Sequence, residues 1–147
     1  MEINNRGGDT PNGKMQIGID FDGVLHSYIS GWHGADVILD EPVEGAIPYL
    51  RALISMSNIK VNIFSSRNFQ EGGIEAMKHW LNKNGLDDHL IDEIDFPLVK
   101  KGFHLMIDDR AIQFNGTYPT IKDILEFKPW NKKDKKYETR KVIKNAS

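Results

Sequence analysis

The chain has 147 residues, 39% of them hydrophobic and 27% charged, and it carries a formal net charge of −2. These values are typical of a globular protein, and the length suits one domain with a core of its own. The absence of cysteine excludes a disulfide framework and a cysteine-ligated metal site. Because no apolar run is long enough for a signal peptide or a membrane span, we expect a cytoplasmic protein.

Positive charge is concentrated at the C-terminal end of the chain. Residues 128–147 contain eight lysines and arginines against two acids, a net charge of +6, so the total of −2 leaves −8 for residues 1–127. We predict a flexible leader over residues 1–14, a folded domain over residues 15–130 and a basic tail over residues 131–147. The tail is interpreted either as a solvated terminus or as a contact for nucleic-acid phosphates.

The first predicted strand begins at Met15 and ends in a pair of acids. Asp20 and Asp22 follow the apolar run at positions i and i+2, and Gly23 comes next. Two like charges about 4 Å apart repel by about 4 kcal/mol at an effective dielectric near 20. Either the acids belong to an Asp-rich turn, or a cation or a raised pKa makes their proximity tolerable.

Residues 26–41 are irregular and contain the aromatic side chains Tyr28 and Trp32. We expect this segment to form a small flap over the end of the first strand. Its aromatic rings are interpreted either as stacking surfaces for a base or sugar, or as groups that pack the flap onto the body of the protein.

A helix and a second strand are predicted next. Residues 44–54 carry apolar side chains at helical spacing, with Pro48 in the first turn, where a missing N–H is tolerated. Residues 60–64 form a strand that ends in a Ser-Ser-Arg sequence, residues 65–67. Hydroxyls and an arginine after a strand suit a phosphate, but they also suit a serine-capped turn.

The rest of the chain contains two further predicted helices. Residues 72–84 have the clearest helical pattern and stop at Gly85. Residues 90–94 are predicted to be a short edge strand. A last short helix is predicted to begin after Thr120, which serves as its N-cap.

A third apolar strand, residues 103–107, ends in a second pair of acids, Asp108 and Asp109. Residues 111–114 are predicted to add another strand. One acidic pair at a strand end is explicable by chance, but two such pairs are hard to explain by structure alone.

The alternation of strands and helices predicts an α/β fold with a mainly parallel sheet. In such sheets ligands bind beyond the carboxyl ends of the strands, where both acid pairs and residues 65–67 are expected. Four acids that offer only oxygen ligands suggest a hard cation, Mg²⁺. The neighbouring hydroxyls and a lysine before the third strand suggest a phosphate beside it.

Four short segments resemble the four motifs of the haloacid dehalogenase-like (HAD) phosphohydrolases, from residue 15 to about residue 115. They are Asp20-x-Asp22-Gly23-Val24, a strand followed by Ser65, then Lys100, and Ile107-Asp108-Asp109. Residues 18–26, 72–77, 107–116 and 128–132 more closely resemble small phage-borne HAD proteins. Ser65-x-Arg67 and Asp108-Asp109-Arg110 are also similar to the 3′-phosphatase domain of polynucleotide kinase-phosphatases.

This resemblance implies a three-layer Rossmann-like (HAD) fold that has no cap domain or only the small flap. It implies that Asp20 is a nucleophile that forms an aspartyl-phosphate, and that Asp22 is the general acid and then the base. It implies a Mg²⁺ ion held by Asp20, by the peptide carbonyl of Asp22, by Asp108, and directly or through water by Asp109. For a phage-encoded protein the cytoplasm would be that of the host.

The resemblance also implies which groups hold the phosphate. Ser65 and backbone N–H groups near Gly23 and Ser66 would bind the phosphoryl oxygens. Arg67 and Arg110 are interpreted either as clamps for a second phosphate or, for Arg110, as part of an internal ion pair.

A lysine is implied as the bridge between Asp20 and the phosphate, where it would cancel their repulsion. Lys100 and Lys101 compete for this role. The spacing to Asp108 favours Lys100 in the pattern of this family.

These features predict a Mg²⁺-dependent phosphomonoesterase acting on a nucleotide or on the 3′ or 5′ phosphate of a polynucleotide. A site without a cap domain suits a large substrate such as a nucleic-acid end. The alternatives are a general small-molecule phosphatase and a non-catalytic phosphate-binding protein. The presence of Asp22 argues against the last, because a pure binder needs no general acid.

Overall fold

The computed structural model describes residues 13–132. The chain divides between Asp108 and Asp109 into two compact units. The single domain predicted over residues 15–130 spans both units. The predicted leader and basic tail lie almost entirely outside the described residues.

The first unit is built on a three-stranded parallel sheet. Its strands are β1 (Met15–Ile19), β2 (Ile59–Ile63) and β3 (Leu105–Ile107), in the order β2-β1-β3. Ile19 at the end of β1 pairs in register with Ile63 on one side and with Ile107 on the other. The predicted α/β class with a parallel sheet is therefore confirmed, and all three strands end at one edge.

Two helices and a buried cluster support the sheet. Helix α1 (Ala46–Ile54) places Pro48 in its first turn, and helix α2 (Gly73–Lys83) presents a buried face. Both helices were predicted. The core is formed mainly by buried side chains of β1, β2, α1 and α2, together with Phe21 just after β1; the former include Ile17, Ile19, Leu50, Val61, Ile63, Met77, Trp80 and Leu81.

The predicted edge strand over residues 90–94 is wrong. The chain forms the short helix α3 (Asp88–Ile91) there instead, and only an isolated bridge between Asn62 and Asp95 joins this region to the sheet. The buried side chains of Ile91 and Ile94 are three residues apart, which is helical rather than strand spacing. The strand predicted over residues 111–114 is likewise not formed.

The second unit contains helix α4 (Ile121–Leu125), and its predicted N-cap is confirmed. The Thr120 hydroxyl oxygen accepts a hydrogen bond from the Asp123 N–H at 3.1 Å, and the Asp123 carboxylate accepts one from the Thr120 N–H at 3.0 Å. This capping box satisfies two N–H groups that a helix start otherwise leaves without partners. Among the described residues, no helix combines the length and the apolar character needed to cross a membrane.

The close approach of α2 to the 3-10 helix Ser66–Phe69 gives a first prediction. A Cβ added at Gly73 would overlap the carbonyl oxygen of Arg67 and lie 2.8 Å from its carbonyl carbon. Because these are backbone atoms of a buried residue, we expect Gly73→Ala to lower the free energy of unfolding by about 1–3 kcal/mol or more. Urea denaturation would measure this loss.

His79→Ala is the matched control, since His79 is exposed on the same helix. We expect it to change the free energy of unfolding by no more than about 0.5 kcal/mol. Equal stability of the two variants would contradict the close packing of α2 on the 3-10 helix.

Candidate functional site

Three of the four predicted acids come together at the carboxyl edge of the sheet. Asp20 follows β1, Asp108 follows β3, and the Asp20 N–H donates to the carbonyl of Ile107 at 2.9 Å. One carboxylate oxygen from each of Asp20, Asp108 and Asp109 lies within 4.8 Å of the others. This acidic triad can hold a metal ion.

The donor chemistry of the triad suits a cation. Three carboxylates at this separation repel one another, and a bound cation removes that repulsion. One carboxylate oxygen of Asp109 is buried and has no hydrogen-bond partner among the described residues. A buried carboxylate oxygen without a donor is costly, and coordination to a metal would satisfy it.

The fourth acid, Asp22, forms a buried ion pair with Arg67. The Arg67 Nε lies 2.9 Å from one Asp22 carboxylate oxygen, and its Nη2 lies 3.1 Å from the other. The Arg67 side chain is fully buried, and that of Asp22 is only 15% exposed. This two-pronged geometry is the strongest that an arginine and a carboxylate can form.

The remaining guanidinium nitrogen of Arg67 binds the flap. Its Nη1 donates to the carbonyl oxygens of Gly34, Ala35 and Val37 at 2.9, 2.8 and 3.2 Å. All three nitrogens of Arg67 therefore donate within the protein. The structure places this arginine on Asp22 and the flap, whereas the sequence suggested a contact to phosphate.

His26 is a second partner of Asp22, and its tautomer follows from the contacts. The Asp40 N–H donates to His26 Nε2 at 3.1 Å, so Nε2 is an acceptor and carries no proton. The ring proton is then on Nδ1, which donates to the Asp22 carboxylate at 2.9 Å. His26 is buried, and it joins Asp22 to the far end of the flap.

These contacts set the protonation state of Asp22. Burial alone would raise the pKa of its carboxyl group. The hydrogen bonds from His26 and Arg67, together with the positive charge of Arg67, outweigh burial and hold the pKa below its ordinary value. Asp22 is therefore a carboxylate at neutral pH.

The predicted flap, residues 26–41, is anchored to the body of the first unit. Trp80 of α2 donates its indole N–H to the Asp40 carbonyl at 3.0 Å. Trp32 lies over the Arg67 guanidinium, with its ring centroid 4.7 Å away. Trp32 is nevertheless 44% exposed.

The predicted phosphate-binding residues after β2 and β1 lie in turns. The Ser65 hydroxyl caps the 3-10 helix by accepting a hydrogen bond from the Arg67 N–H at 3.2 Å. Ser66 is exposed at the first position of that helix. Gly23 has a φ of 85°, which favours glycine, and its N–H donates to the His26 carbonyl at 2.8 Å.

The two candidate lysines have different surroundings. The Lys101 ammonium lies 3.3 Å from an Asp95 carboxylate oxygen and 3.4 Å from the Asn62 side-chain oxygen. Lys100 is exposed. Asp95 thus engages Lys101, and Lys100 stays the predicted phosphate lysine.

Sequence reasoning did not anticipate the roles of His26 and Asp40. His26 closes the segment 18–26 that carries the family resemblance, but the resemblance gives it no role, and Asp40 lies in an irregular loop outside every motif. The four-residue spacing of Asp22 and His26 is a signal only inside a helix, and this segment is not helical.

Comparisons of this chain with models of protein families, with curated proteins and with solved structures found no match. The position of a ligand-binding crevice is therefore inferred from the order of the strands in the sheet. After β1 the chain moves to one neighbour, β2, and later returns to the other side of β1 as β3. Such a reversal of strand order creates the crevice in which open α/β sheets bind ligands, and Asp20 and Asp108 lie at its edge.

The buried ion pair gives a second prediction. Arg67→Met keeps most of the side-chain volume but leaves the Asp22 carboxylate buried without its cation. We expect the free energy of unfolding to fall by about 3–5 kcal/mol, the usual cost of removing one partner of a buried pair. Urea denaturation at neutral pH would measure it.

Arg51→Met is the control, because Arg51 is exposed on α1 and makes a single side-chain contact, to the Gly85 carbonyl at 2.9 Å. We expect it to cost less than about 1 kcal/mol. Similar losses for the two variants would show that the Asp22–Arg67 pair has no special importance.

Proposed function

We propose that this protein is a Mg²⁺-dependent phosphomonoesterase of the three-layer HAD type that acts through an aspartyl-phosphate at Asp20. Its proposed substrate is a nucleotide or the 3′ or 5′ phosphate of a polynucleotide. The observation that carries the proposal is the position of Asp20 beside Asp108 and Asp109 at the carboxyl edge of a parallel sheet. A carboxylate attacks an anionic phosphate only where cations neutralise both.

The acidic triad would hold the metal. Asp20, Asp108 and Asp109 offer only carboxylate oxygens. Mg²⁺ favours oxygen ligands, whereas softer metals favour nitrogen and sulfur. The peptide carbonyl of Asp22 is proposed as a further ligand, on the basis of the sequence resemblance. The ion would supply positive charge that offsets the charges of the phosphate and the acids.

The proposed reaction has two displacements at phosphorus. A carboxylate oxygen of Asp20 first forms a bond to phosphorus while the bond to the alcohol oxygen breaks, and the alcohol leaves with a proton. Water then attacks phosphorus, and the bond to the Asp20 oxygen breaks. Inorganic phosphate leaves, and the Asp20 carboxylate is restored.

Asp22 is proposed to handle the proton in both steps. As an ionised carboxylate it can accept the proton of the attacking water. It then gives that proton to the alcohol that leaves in the next turnover. Arg67 and His26 determine how readily Asp22 holds the proton, since both stabilise its ionised form.

The phosphoryl oxygens are proposed to contact groups at the ends of the first two strands. Ser65 and Ser66 follow β2, and the turn at Gly23 would offer backbone N–H groups near Gly23, since that of Gly23 itself donates to the His26 carbonyl. The exposed Lys100 is proposed as the cation that cancels the repulsion between Asp20 and the phosphate.

The architecture favours a large substrate. Between β1 and α1, the insertion that could cover the site is the flap of residues 26–41, and Arg67, His26 and Trp80 tie it to the body. Within the part of the chain that the structure describes, no separate cap domain is present. A polynucleotide end can approach such a site, although small phosphate esters, the substrates of a general phosphatase, can enter it as well.

A non-catalytic phosphate-binding protein is the second candidate, and one observation favours it. The ion pair with Arg67 and the hydrogen bond from His26 keep Asp22 ionised. A carboxyl group held in this state is seldom protonated at neutral pH, so it rarely has a proton to give to a leaving alcohol. Both candidate proteins would bind a metal and a phosphate, but only the phosphatase would hydrolyse the phosphate ester.

The metal site gives a third prediction, which does not depend on turnover. Mg²⁺ at 100 times its Kd should stabilise the wild-type protein by about 2.7 kcal/mol, and the midpoint of thermal unfolding should rise accordingly. Asp108→Asn should abolish this rise, whereas Asp92→Asn, an exposed acid next to α3, should retain it. A Mg²⁺-dependent rise that persists in Asp108→Asn would place the metal elsewhere.

The nucleophile gives a fourth prediction. Asp20→Asn should reduce phosphate release at least about a thousandfold while leaving the fold intact, because an amide oxygen does not form the acyl phosphate. The assay measures phosphate release with Mg²⁺ from 3′- and 5′-phosphorylated oligonucleotides, nucleoside monophosphates and sugar phosphates. Asp92→Asn serves as the control with full turnover.

The outcome separates the candidates. Release from an oligonucleotide end supports an end-processing enzyme, and release from sugar phosphates alone supports a general phosphatase. No release by the wild type, with Mg²⁺ still bound, supports the binding protein. Residual turnover of Asp20→Asn above roughly a tenth of wild type would exclude Asp20 as the nucleophile.

A further inference from the structure

We propose that Trp32 forms a stacking site for the nucleobase of the substrate. This inference rests on the proposed function for the phosphate end of the ligand, and it adds the group that selects a nucleotide over other phosphate esters. The shared chemistry is a planar base attached to a phosphate, in either a free nucleotide or a polynucleotide end.

The Trp32 ring is held in place from one side. Its centroid lies 4.7 Å from the Arg67 guanidinium carbon, and the ring of Phe21 lies 5.8 Å from that carbon. Arg67 is itself fixed by Asp22 and by three flap carbonyls. A rigid support of this kind lets a ring bind a partner without first losing its own conformational freedom.

The flap backbone around Trp32 is also constrained. Gly31 and Gly34 have φ values of 76° and 113°, which favour glycine, and the Gly34 carbonyl accepts a hydrogen bond from Arg67. The Ser30 N–H donates to the Asp40 carboxylate at 2.7 Å. Trp32 thus projects from a loop tied down both before and after it.

The exposure of Trp32 distinguishes it from a packing residue. Trp80, which anchors the flap, is 4% exposed and donates its indole N–H to the Asp40 carbonyl. Trp32 remains 44% exposed although it covers a buried cation. A large apolar ring half in solvent on a fixed loop offers a surface on which a planar ligand can stack.

The position of Trp32 matches the leaving-group side of the proposed reaction. Its ring covers Arg67, which directly binds Asp22, and Asp22 is the residue proposed to protonate the leaving alcohol. In a nucleotide or polynucleotide phosphate that alcohol belongs to the sugar that carries the base. A base near Trp32 and an alcohol near Asp22 are therefore parts of one leaving group.

The experiment measures binding in full-length Asp20→Asn protein with Mg²⁺, so that turnover does not interfere. The probes are adenosine 3′-monophosphate, a 3′-phosphorylated oligonucleotide, adenosine and ribose 5-phosphate, titrated by calorimetry. The variants are Trp32→Leu and Trp32→Met, which remove the aromatic face, and Trp32→Phe, which keeps one. Trp130→Leu is the matched control, because Trp130 is also a half-exposed tryptophan.

Stacking on an aromatic side chain accounts for about a 5- to 150-fold difference in affinity per base. We expect Trp32→Leu and Trp32→Met to weaken binding of the nucleotide by that factor, and Trp32→Phe to restore much of it. Ribose 5-phosphate should bind all variants alike. Comparison of the oligonucleotide affinity with the mononucleotide affinity shows whether a polynucleotide end or a free nucleotide binds more tightly.

Two results would overturn the stacking site. One is an equal loss of nucleotide and ribose 5-phosphate affinity in both aliphatic variants, which would mean that Trp32 only supports the flap. The other is unchanged nucleotide affinity in a folded variant. Failure of the proposed function is recognised separately: adenosine binding that depends on Trp32, without phosphate release by the wild type, would keep the base site and remove the phosphatase.

Discussion

The buried ion pair between Asp22 and Arg67 is the interaction on which this structure depends. It links the end of β1 to the segment after β2, and through three carbonyl contacts it also holds the flap. Moving two charges out of water is costly, and only complete hydrogen bonding makes such a pair tolerable. Here the Asp22 carboxylate accepts hydrogen bonds from Arg67 and His26. Every guanidinium nitrogen of Arg67 in turn donates to an acceptor. The network therefore connects the turn after β1, the 3-10 helix after β2 and the flap.

The same pair explains how two adjacent acids coexist. Asp20 and Asp22 are two residues apart, and their close charges would repel if they shared one environment. In the structure Asp20 lies with Asp108 and Asp109, whereas Asp22 lies with Arg67 and His26. Asp22 is thus compensated by an arginine, and the triad is an arrangement that could hold a cation. In the proposed function, this separation would let a metal and a proton-transfer group lie side by side.

Much of the fold could be predicted because its signals are local. The helical spacing of apolar residues located α1 and α2, and the Thr120 capping box marked the start of α4. Prediction was wrong at residues 90–94, where a short apolar run suits a strand or a helix, and the chain forms the helix α3, which ends at Ile91. Both acid pairs were predicted to meet, since parallel strands end at one edge; Asp20, Asp108 and Asp109 do so, whereas Asp22 pairs with Arg67. The roles of His26 and Asp40 could not be predicted, because their partners are loop groups.

The sequence by itself determined the class of the sheet and the acids at its edge, because strand periodicity and the residue that follows each strand are written locally along the chain. Only the tertiary structure decided what each polar side chain binds. Arg67 contacts Asp22 across 45 positions, and the flap carbonyls across 30 to 33. A side chain with five donors has many possible acceptors, and the choice is made when packing removes water from one set. Burial therefore decided which acceptors Arg67 binds, and the position of Trp32 over Arg67 depends on that choice.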